Sequence, residues 1–307
     1  MGVANGLDAL ALSLRALELP PMSEVIVPSN TYIATILAIV QAGLRPVLVE
    51  PDIRTYNIDP RLVEAAISSR TKAIMPVHLY GKLSDMEALT AIARERGLFV
   101  VEDCAQAHGA SFRGRRAGSW GDINAFSFYP TKNLGALGDA GAIVTDSDAL
   151  AEKARALRNY GSRVKYVNEV VGVNSRLDEL QAGFLRIKLR RIEEITERKR
   201  HIAAIYAQEI PDTFVKPVQQ DGYFDVFHIY NVRHAARDSL REYLLCRGIK
   251  TDVHYPVPPH RQECMKGILE GTFPISEKIH STIVSLPISL ATTDQEALEV
   301  CRALSGF

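Results

Sequence analysis

Short apolar runs alternate with helix-patterned segments along the first half of the chain. Residues 24–28 (EVIVP), 46–49, 73–77 and 98–101 are continuous apolar runs of strand length, and between them residues 35–42, 60–67 and 84–96 have helical spacing. Gly43 and Gly97 stand where the first and last of those helices should stop. Strands that are apolar at every position, rather than every second one, fit a parallel sheet covered by helices on both faces. The pattern predicts an α/β fold with a mostly parallel open sheet flanked by helices, whose ligands sit beyond the carboxyl ends of the strands. A helix through residue 19 is expected before the first strand, and further strands at 123–128 and 142–145.

The texture changes after Asp178. Residues 178–209 are mostly strong helix formers, rich in Arg and Glu, interrupted by Gly183 and ended by Pro211. Beyond lie a turn-rich stretch at 219–222, strand candidates at 227–232 and 250–253, and the proline cluster His254-Tyr-Pro-Val-Pro-Pro-His260. This predicts a smaller C-terminal α+β domain, residues 194–307, following a large domain of residues 1–193.

Composition removes several function classes. Hydrophobic residues make up 47% and charged residues 23% of 307, which excludes a disordered chain. Lys+Arg and Asp+Glu both number 36, so no excess charge draws in nucleic acid or an anionic membrane, and neither is expected as a partner. The densest basic stretch, 188–200, also carries Glu193, Glu194 and Glu197 and reads as a solvated helix face. Cys104, Cys246, Cys264 and Cys301 form no C-x-x-C pair, so no metal site is expected, and reduced thiols point to a cytoplasmic protein. No apolar stretch is long enough to span a bilayer, and Arg15 and Glu18 interrupt the only leucine-rich run near the start.

Three constellations carry candidate chemistry. In Val101-Glu102-Asp103-Cys-Ala-Gln106-Ala-His108 an apolar strand ends on two carboxylates, which places Asp103 at the sheet edge where ligands bind; a helix cap or salt bridge would use the same residue. In Ser127-Phe-Tyr-Pro-Thr-Lys132-Asn-Leu-Gly135 a lysine follows an aromatic strand and precedes glycines that permit close backbone approach. Partial burial there would disfavour the ammonium form, as a nucleophilic amine requires. Ser127 could face a phosphate or bond local backbone. In Asn5-Gly6-Leu7-Asp8, backbone N–H groups at a helix start offer an anion site, although Asn-Gly is also ordinary capping. Pyridoxal phosphate would join these parts, because it needs a lysine, an acid for its ring nitrogen and donors for its phosphate. Asp103 and Lys132 lie 29 residues apart, each at a strand's end. Tyr32 offers an aromatic face for the ring, or simple core packing.

These motifs, with Val27-Pro28-Ser29-Asn30-Thr31, Pro76-Val77-His78-Leu79-Tyr80-Gly81 and Asn174-Ser-Arg-Leu-Asp178, make the whole chain resemble the DegT/StrS family of pyridoxal-phosphate-dependent nucleotide-sugar aminotransferases. The resemblance implies the aspartate-aminotransferase type fold and a cytoplasmic homodimer with shared active sites. It implies Lys132 as the lysine that bonds the cofactor, Asp103 as the partner of its ring nitrogen, and Gln106 at its ring hydroxyl. Tyr32 would stack on the ring, the Asn5-Gly6-Leu7 cup and Ser127 would hold the phosphate, and Asn174 would reach the neighbouring subunit's cofactor. Lysine rather than histidine at 132 favours amination over dehydration. Arg158-Asn-Tyr-Gly161 and the 254–260 cluster most resemble the subgroup that aminates dTDP-3-keto-6-deoxyhexoses, with glutamate as donor, for a surface polysaccharide or a secondary metabolite. Arg158, Arg163 and Arg176 are candidates for the substrate diphosphate. The family usually has several dozen residues ahead of the phosphate cup, so a truncated, catalytically weak cofactor-binding homologue is the alternative expectation.

Overall fold

The computed structural model describes residues 1–307. Its central sheet draws on β1 (Gly2–Val3), β2 (Glu24–Pro28), β3 (Arg45–Val49), β4 (Thr71–Ile74), β5 (Phe99–Val100), β6 (Asn124–Ser127) and β7 (Gly141–Val144). Four of these run parallel in the order β3-β2-β4-β5, and three run antiparallel in the order β1-β7-β6. Asp103 stitches the two ladders together, bridging Val77 on one side and Ala125 on the other, both in the parallel sense.

The continuous apolar runs now have a cause. Val25 and Val27 of β2 pack on one face with Leu10, Leu14, Ile36 and Ile39, while Ile26 packs on the other with Val49, Leu89 and Val100. Helices α1 (Gly6–Ala16) and α2 (Ile33–Gln41) cover the first face; α3 (Pro60–Ala66) and α4 (Met86–Arg96) cover the second. Asp85 caps α4 by accepting from the Ala88 N–H, and Gly97 ends it in the left-handed conformation at φ 63°, which a side chain would resist. Helix α5 (Asp148–Leu157) packs against α1.

The C-terminal region has its own core. Helices α6 (Glu179–Leu189) and α7 (Ile192–Glu209) lead into β8 (Tyr230–Arg233), α8 (Arg237–Leu245), α9 (Pro274–Thr282), β9 (Ile283–Leu286) and α10 (Asp294–Ser305). Antiparallel β8 and β9 form its sheet, and Ile202, Tyr206, Tyr230, Leu240 and Val300 fill the interior.

Three expected elements differ. The first helix stops at Ala16, not at residue 19, because Leu17 and Glu18 turn back onto Leu14 and Arg15. The helical segment 178–209 is broken at Arg190–Arg191: α6 leaves Leu180, Phe184 and Ile187 exposed whereas α7 buries Ile202 and Tyr206, so the two halves face different surroundings. Residues 250–253 form no strand. Only Asp252 pairs, with Ser285, and its own carboxylate takes the Val253 N–H at 2.7 Å. No helix is long and apolar enough to cross a membrane.

Candidate active site

A cavity of about 530 Å³ opens where the N-termini of α1 and α2 meet the carboxyl ends of the central strands. Asn5, Gly6, Leu7, Tyr32, Asp103, Gln106, Ser127 and Lys132 all line it. Asn174 does not: it is exposed and pairs with Asn159 in an antiparallel bridge.

The local chain explains each placement. Strand β6 cannot continue through Pro130, which has no N–H to donate, and the Lys132 N–H closes a turn onto the Tyr129 carbonyl at 2.8 Å. The turn carries Lys132 back over the sheet end, half-buried and without an ion-pair partner. Burial lowers its pKa, against the opposing pull of the Asp103 charge. Asp103 forms the cavity floor. Its Oδ1 accepts from the Ala105 N–H (3.0 Å) and its Oδ2 from the Thr35 hydroxyl (2.9 Å), while burial pushes its pKa up. Gln106 Oε1 accepts from the Tyr80 N–H (2.6 Å) and Nε2 donates to the Tyr255 hydroxyl (2.9 Å), leaving one amide hydrogen free. Tyr32, at the N-cap of α2, is 51% exposed and lies against the Tyr255 ring at 4.8 Å between centroids, so it is a cavity wall and not a core residue.

The anion cup has a different division of labour from the one expected. The Asn5 side chain accepts from the Asp8 N–H at 2.8 Å and so acts as a helix cap. That leaves the N–H groups of Gly6 and Leu7 without intrahelical partners, at the positive end of α1. A Cβ on Gly6 would stand 2.6 Å from Ser127 Cβ, so only glycine allows the helix start and the serine to close on one small group. Ser127 also accepts from the Tyr129 N–H, at 3.3 Å.

Several wall residues are not singled out as site residues by the sequence, although Thr31, His254 and Tyr255 lie in the motifs named above. Thr31, Thr35, His228, His254 and Tyr255 line the cavity, brought in from α2 and from the C-terminal region. Thr35 carried no signal beyond its place in a helix, and His228 none beyond a strand. The basic stretch 188–200 keeps Arg190, Arg191, Glu193, Glu194 and Glu197 in solvent, as expected, but Lys199 departs from that face. Lys199 is 6% exposed, donates to Asn133 Oδ1 (2.8 Å) and the His228 carbonyl (3.0 Å), and burial lowers its pKa to about 8. Asn133 Nδ2 in turn donates to the Val226 carbonyl (3.0 Å), so the residue after Lys132 is held at both ends of its amide.

The candidate diphosphate arginines are engaged elsewhere. Arg158 donates to the Gly2 carbonyl (2.9 Å), Arg163 faces Glu169 (3.6 Å), Arg176 lies over the Tyr160 ring, and none of them lines this cavity. His108 is sealed between Phe126 and Phe128 with neither ring nitrogen hydrogen-bonded, and burial holds its pKa at about 3. It is a neutral packing residue.

An unpaired amine, a buried carboxylate with acceptor capacity to spare and an anion cup thus share one cavity large enough for an aromatic ring bearing a phosphate. These residues fit pyridoxal 5′-phosphate.

Comparison with known proteins agrees with this geometry. The family model for the DegT/DnrJ/EryC1/StrS aminotransferase family matches residues 1–305. The dTDP-3-amino-3,6-dideoxy-alpha-D-galactopyranose transaminase of Aneurinibacillus thermoaerophilus is 54% identical over 308 residues, covering 100% of this chain and 85% of that protein. The crystal structure of S. venezuelae DesV in complex with a ketimine intermediate superposes with a TM-score of 0.97 at 48% identity, covering 100% of this chain and 84% of that one. NtdA from Bacillus subtilis with bound cofactor PMP gives 0.93 at 31% identity, covering 100% of this chain and 72% of that one.

Proposed function

Because the chain belongs to the DegT/DnrJ/EryC1/StrS aminotransferase family, we propose that its cavity aminates a nucleotide-linked keto-deoxysugar of the dTDP-3-keto-6-deoxyhexose kind, with glutamate as amino donor. The protein is a pyridoxal-phosphate-dependent aminotransferase. The sugar class follows the named activity of the 54% identical relative. The observation that carries the site assignment is the meeting of the unpaired Lys132 amine and the Asp103 carboxylate on the walls of one cavity.

When bound, the cofactor supplies an aldehyde carbon for the amino group and a ring that accepts an electron pair. The chain's own residues bind and steer. Gly6 and Leu7 N–H groups and the Ser127 hydroxyl receive the phosphate, where the α1 dipole favours negative charge. Lys132 Nζ would be the group that bonds the cofactor's aldehyde carbon and, when released, would carry the proton to and from the substrate carbon; burial favours its neutral form. Asp103 keeps a proton on the ring nitrogen by accepting a hydrogen bond from it. The amide hydrogen that Gln106 does not spend on Tyr255 would be free for the ring hydroxyl, and Tyr32, on the cavity wall, would cover the ring.

The large domain, residues 1–193, provides the floor and cup; the small domain, 194–307, provides His228, His254 and Tyr255. Two subunits pair through the exposed apolar surface of Leu180, Phe184 and Ile187 on α6 together with Val164 and Tyr166, and Asn174 of each completes the other's phosphate site. The test is mass spectrometry of products after incubating cofactor-loaded protein with glutamate and a panel of dTDP- and UDP-linked keto-sugars. A gain of one amino group on a dTDP-3-keto-6-deoxyhexose supports the reading; absence of any aminated product across the panel overturns it.

A further inference from the structure

Asp103 does not stand alone on the cavity floor. Its Oδ2 lies 2.9 Å from the Thr35 hydroxyl, and that hydroxyl lies 2.7 Å from the Thr31 hydroxyl. Both threonines are 1% exposed, so no solvent substitutes for these contacts. An ionised carboxylate can only accept, and a threonine hydroxyl has one hydrogen to give. With Asp103 ionised, Thr35 must spend its hydrogen on Asp103, and its oxygen must then accept from Thr31. The direction of the chain is therefore fixed: Thr31 to Thr35 to Asp103. A proton on Oδ2 would have to be donated to Thr35 and would reverse the chain, so the observed pair leaves Oδ2 as the acceptor.

The two threonines are one helical turn apart, at the start of α2, and Tyr32 stands between them at the N-cap. One turn of helix thus sets the Asp103 carboxylate and the Tyr32 wall together. The Ala105 N–H holds the other carboxylate oxygen, so the plane of the group is fixed from both sides while its remaining lone pairs face the cavity.

We propose that Thr35 is a positioning residue that holds Asp103 as an oriented carboxylate toward the ring nitrogen of the cofactor, with Thr31 orienting the Thr35 hydroxyl. This rests on the reading of Asp103 as the ring-nitrogen partner. Burial alone favours the neutral acid, and the Thr35 hydrogen bond works against that tendency.

The experiment measures dissociation constants of two probes on cofactor-free protein by absorbance titration. One is pyridoxal 5′-phosphate; the other is the same molecule with a C–H in place of the ring nitrogen. Thr35→Val keeps the shape and removes the hydroxyl; Thr35→Ser keeps the hydroxyl. Thr35→Val is expected to bind pyridoxal 5′-phosphate about tenfold more weakly, the worth of a hydrogen bond to a charged group. The carbon analogue is expected to bind Thr35→Val and parent alike, and Thr35→Ser is expected to restore affinity for the natural probe. Unchanged affinity in Thr35→Val, or equal weakening of both probes, overturns the proposal. Asp103→Asn is the control for the underlying reading: if it also binds pyridoxal 5′-phosphate like the parent, the assignment of Asp103 itself fails. If Asp103→Asn is weakened and Thr35→Val is not, the role of Thr35 alone fails.

Discussion

Glu102 and Asp103 are neighbours in the chain, both buried, and they belong to opposite regions of the molecule. Glu102 points into a closed cage behind the sheet. His78 Nε2 sits 2.8 Å from one of its oxygens, and the N–H groups of Gly118 (2.9 Å), Trp120 (2.7 Å) and Gly121 (2.8 Å) donate to it. Burial would raise its pKa, but these partners outweigh burial and hold it below the usual range. Asp103 points the other way, to the cavity, with one N–H and one hydroxyl, and there burial wins and its pKa rises. The lesson concerns saturation. A carboxylate whose acceptor sites are filled by its own fold is a structural anchor, and one left with open sites facing a cavity is available to a ligand. The cluster of His78, Glu102 and Cys104 illustrates the first case: the Glu102 carboxylate has His78 Nε2 at 2.8 Å and the Cys104 Sγ at 4.0 Å.

The largest effect should come from the residue that Asp103 faces. Lys132→Ala is expected to lower kcat by about 10³-fold or more, since it removes the proton-carrying amine, and borohydride reduction should no longer fix the cofactor to the chain. Steady-state assays and mass spectrometry of the reduced protein check this, and colour retained after denaturation would remove Lys132 from its role. Asp103→Asn should lower kcat by about 10²-fold with little loss of stability. Because the raised pKa means that the folded state disfavours the ionised form, the native charge is a burden above the folded pKa, and Asn relieves it. Urea unfolding at neutral pH should show equal or greater stability.

Glu102→Gln should give the reverse profile. It breaks a buried, fully partnered carboxylate and is expected to cost about 3 kcal/mol of stability, while the folded fraction keeps kcat within about tenfold. The sign of the pH dependence follows from its lowered pKa: the stabilisation is present above the ordinary glutamate value of 4.5 and is lost as pH falls through the folded value. The gap between parent and variant should therefore narrow in acid. A constant gap would mean that shape, not charge, holds the cage. The smallest effect sharpens the distinction at the cup. Asn5→Ala should cost about 1 kcal/mol as a lost helix cap, and Asn5→Ser should recover it, with cofactor affinity unchanged in Asn5→Ser. A large loss of affinity in that variant would return Asn5 to the ligand.

The contrast was half legible beforehand. The continuous apolar runs, the glycine stops and the placement of Asp103 and Lys132 at strand ends follow from local pattern, because sheet and helix periods are written in neighbouring residues. Nothing local separates Glu102 from Asp103; what separates them is a loop at 118–121 and a helix at 33–41 that arrive from elsewhere. The same applies to Lys199. Among flanking arginines and glutamates it reads as solvated, and only its partners 66 and 29 residues away bury it. The arginines at 158, 163 and 176 read from the sequence as diphosphate candidates, whereas within one chain they meet a carbonyl, a carboxylate and an aromatic ring and line a different part of the surface from the cavity.

Asn133 is gripped by Lys199 from α7 and by the Val226 carbonyl, both belonging to the C-terminal region, while its own backbone continues from Lys132. Lys132 is therefore moored to the C-terminal region through a single peptide link. A swing of that region that widened the cavity mouth would tug Lys132 along with it, which couples the width of the entrance to the position of the amine.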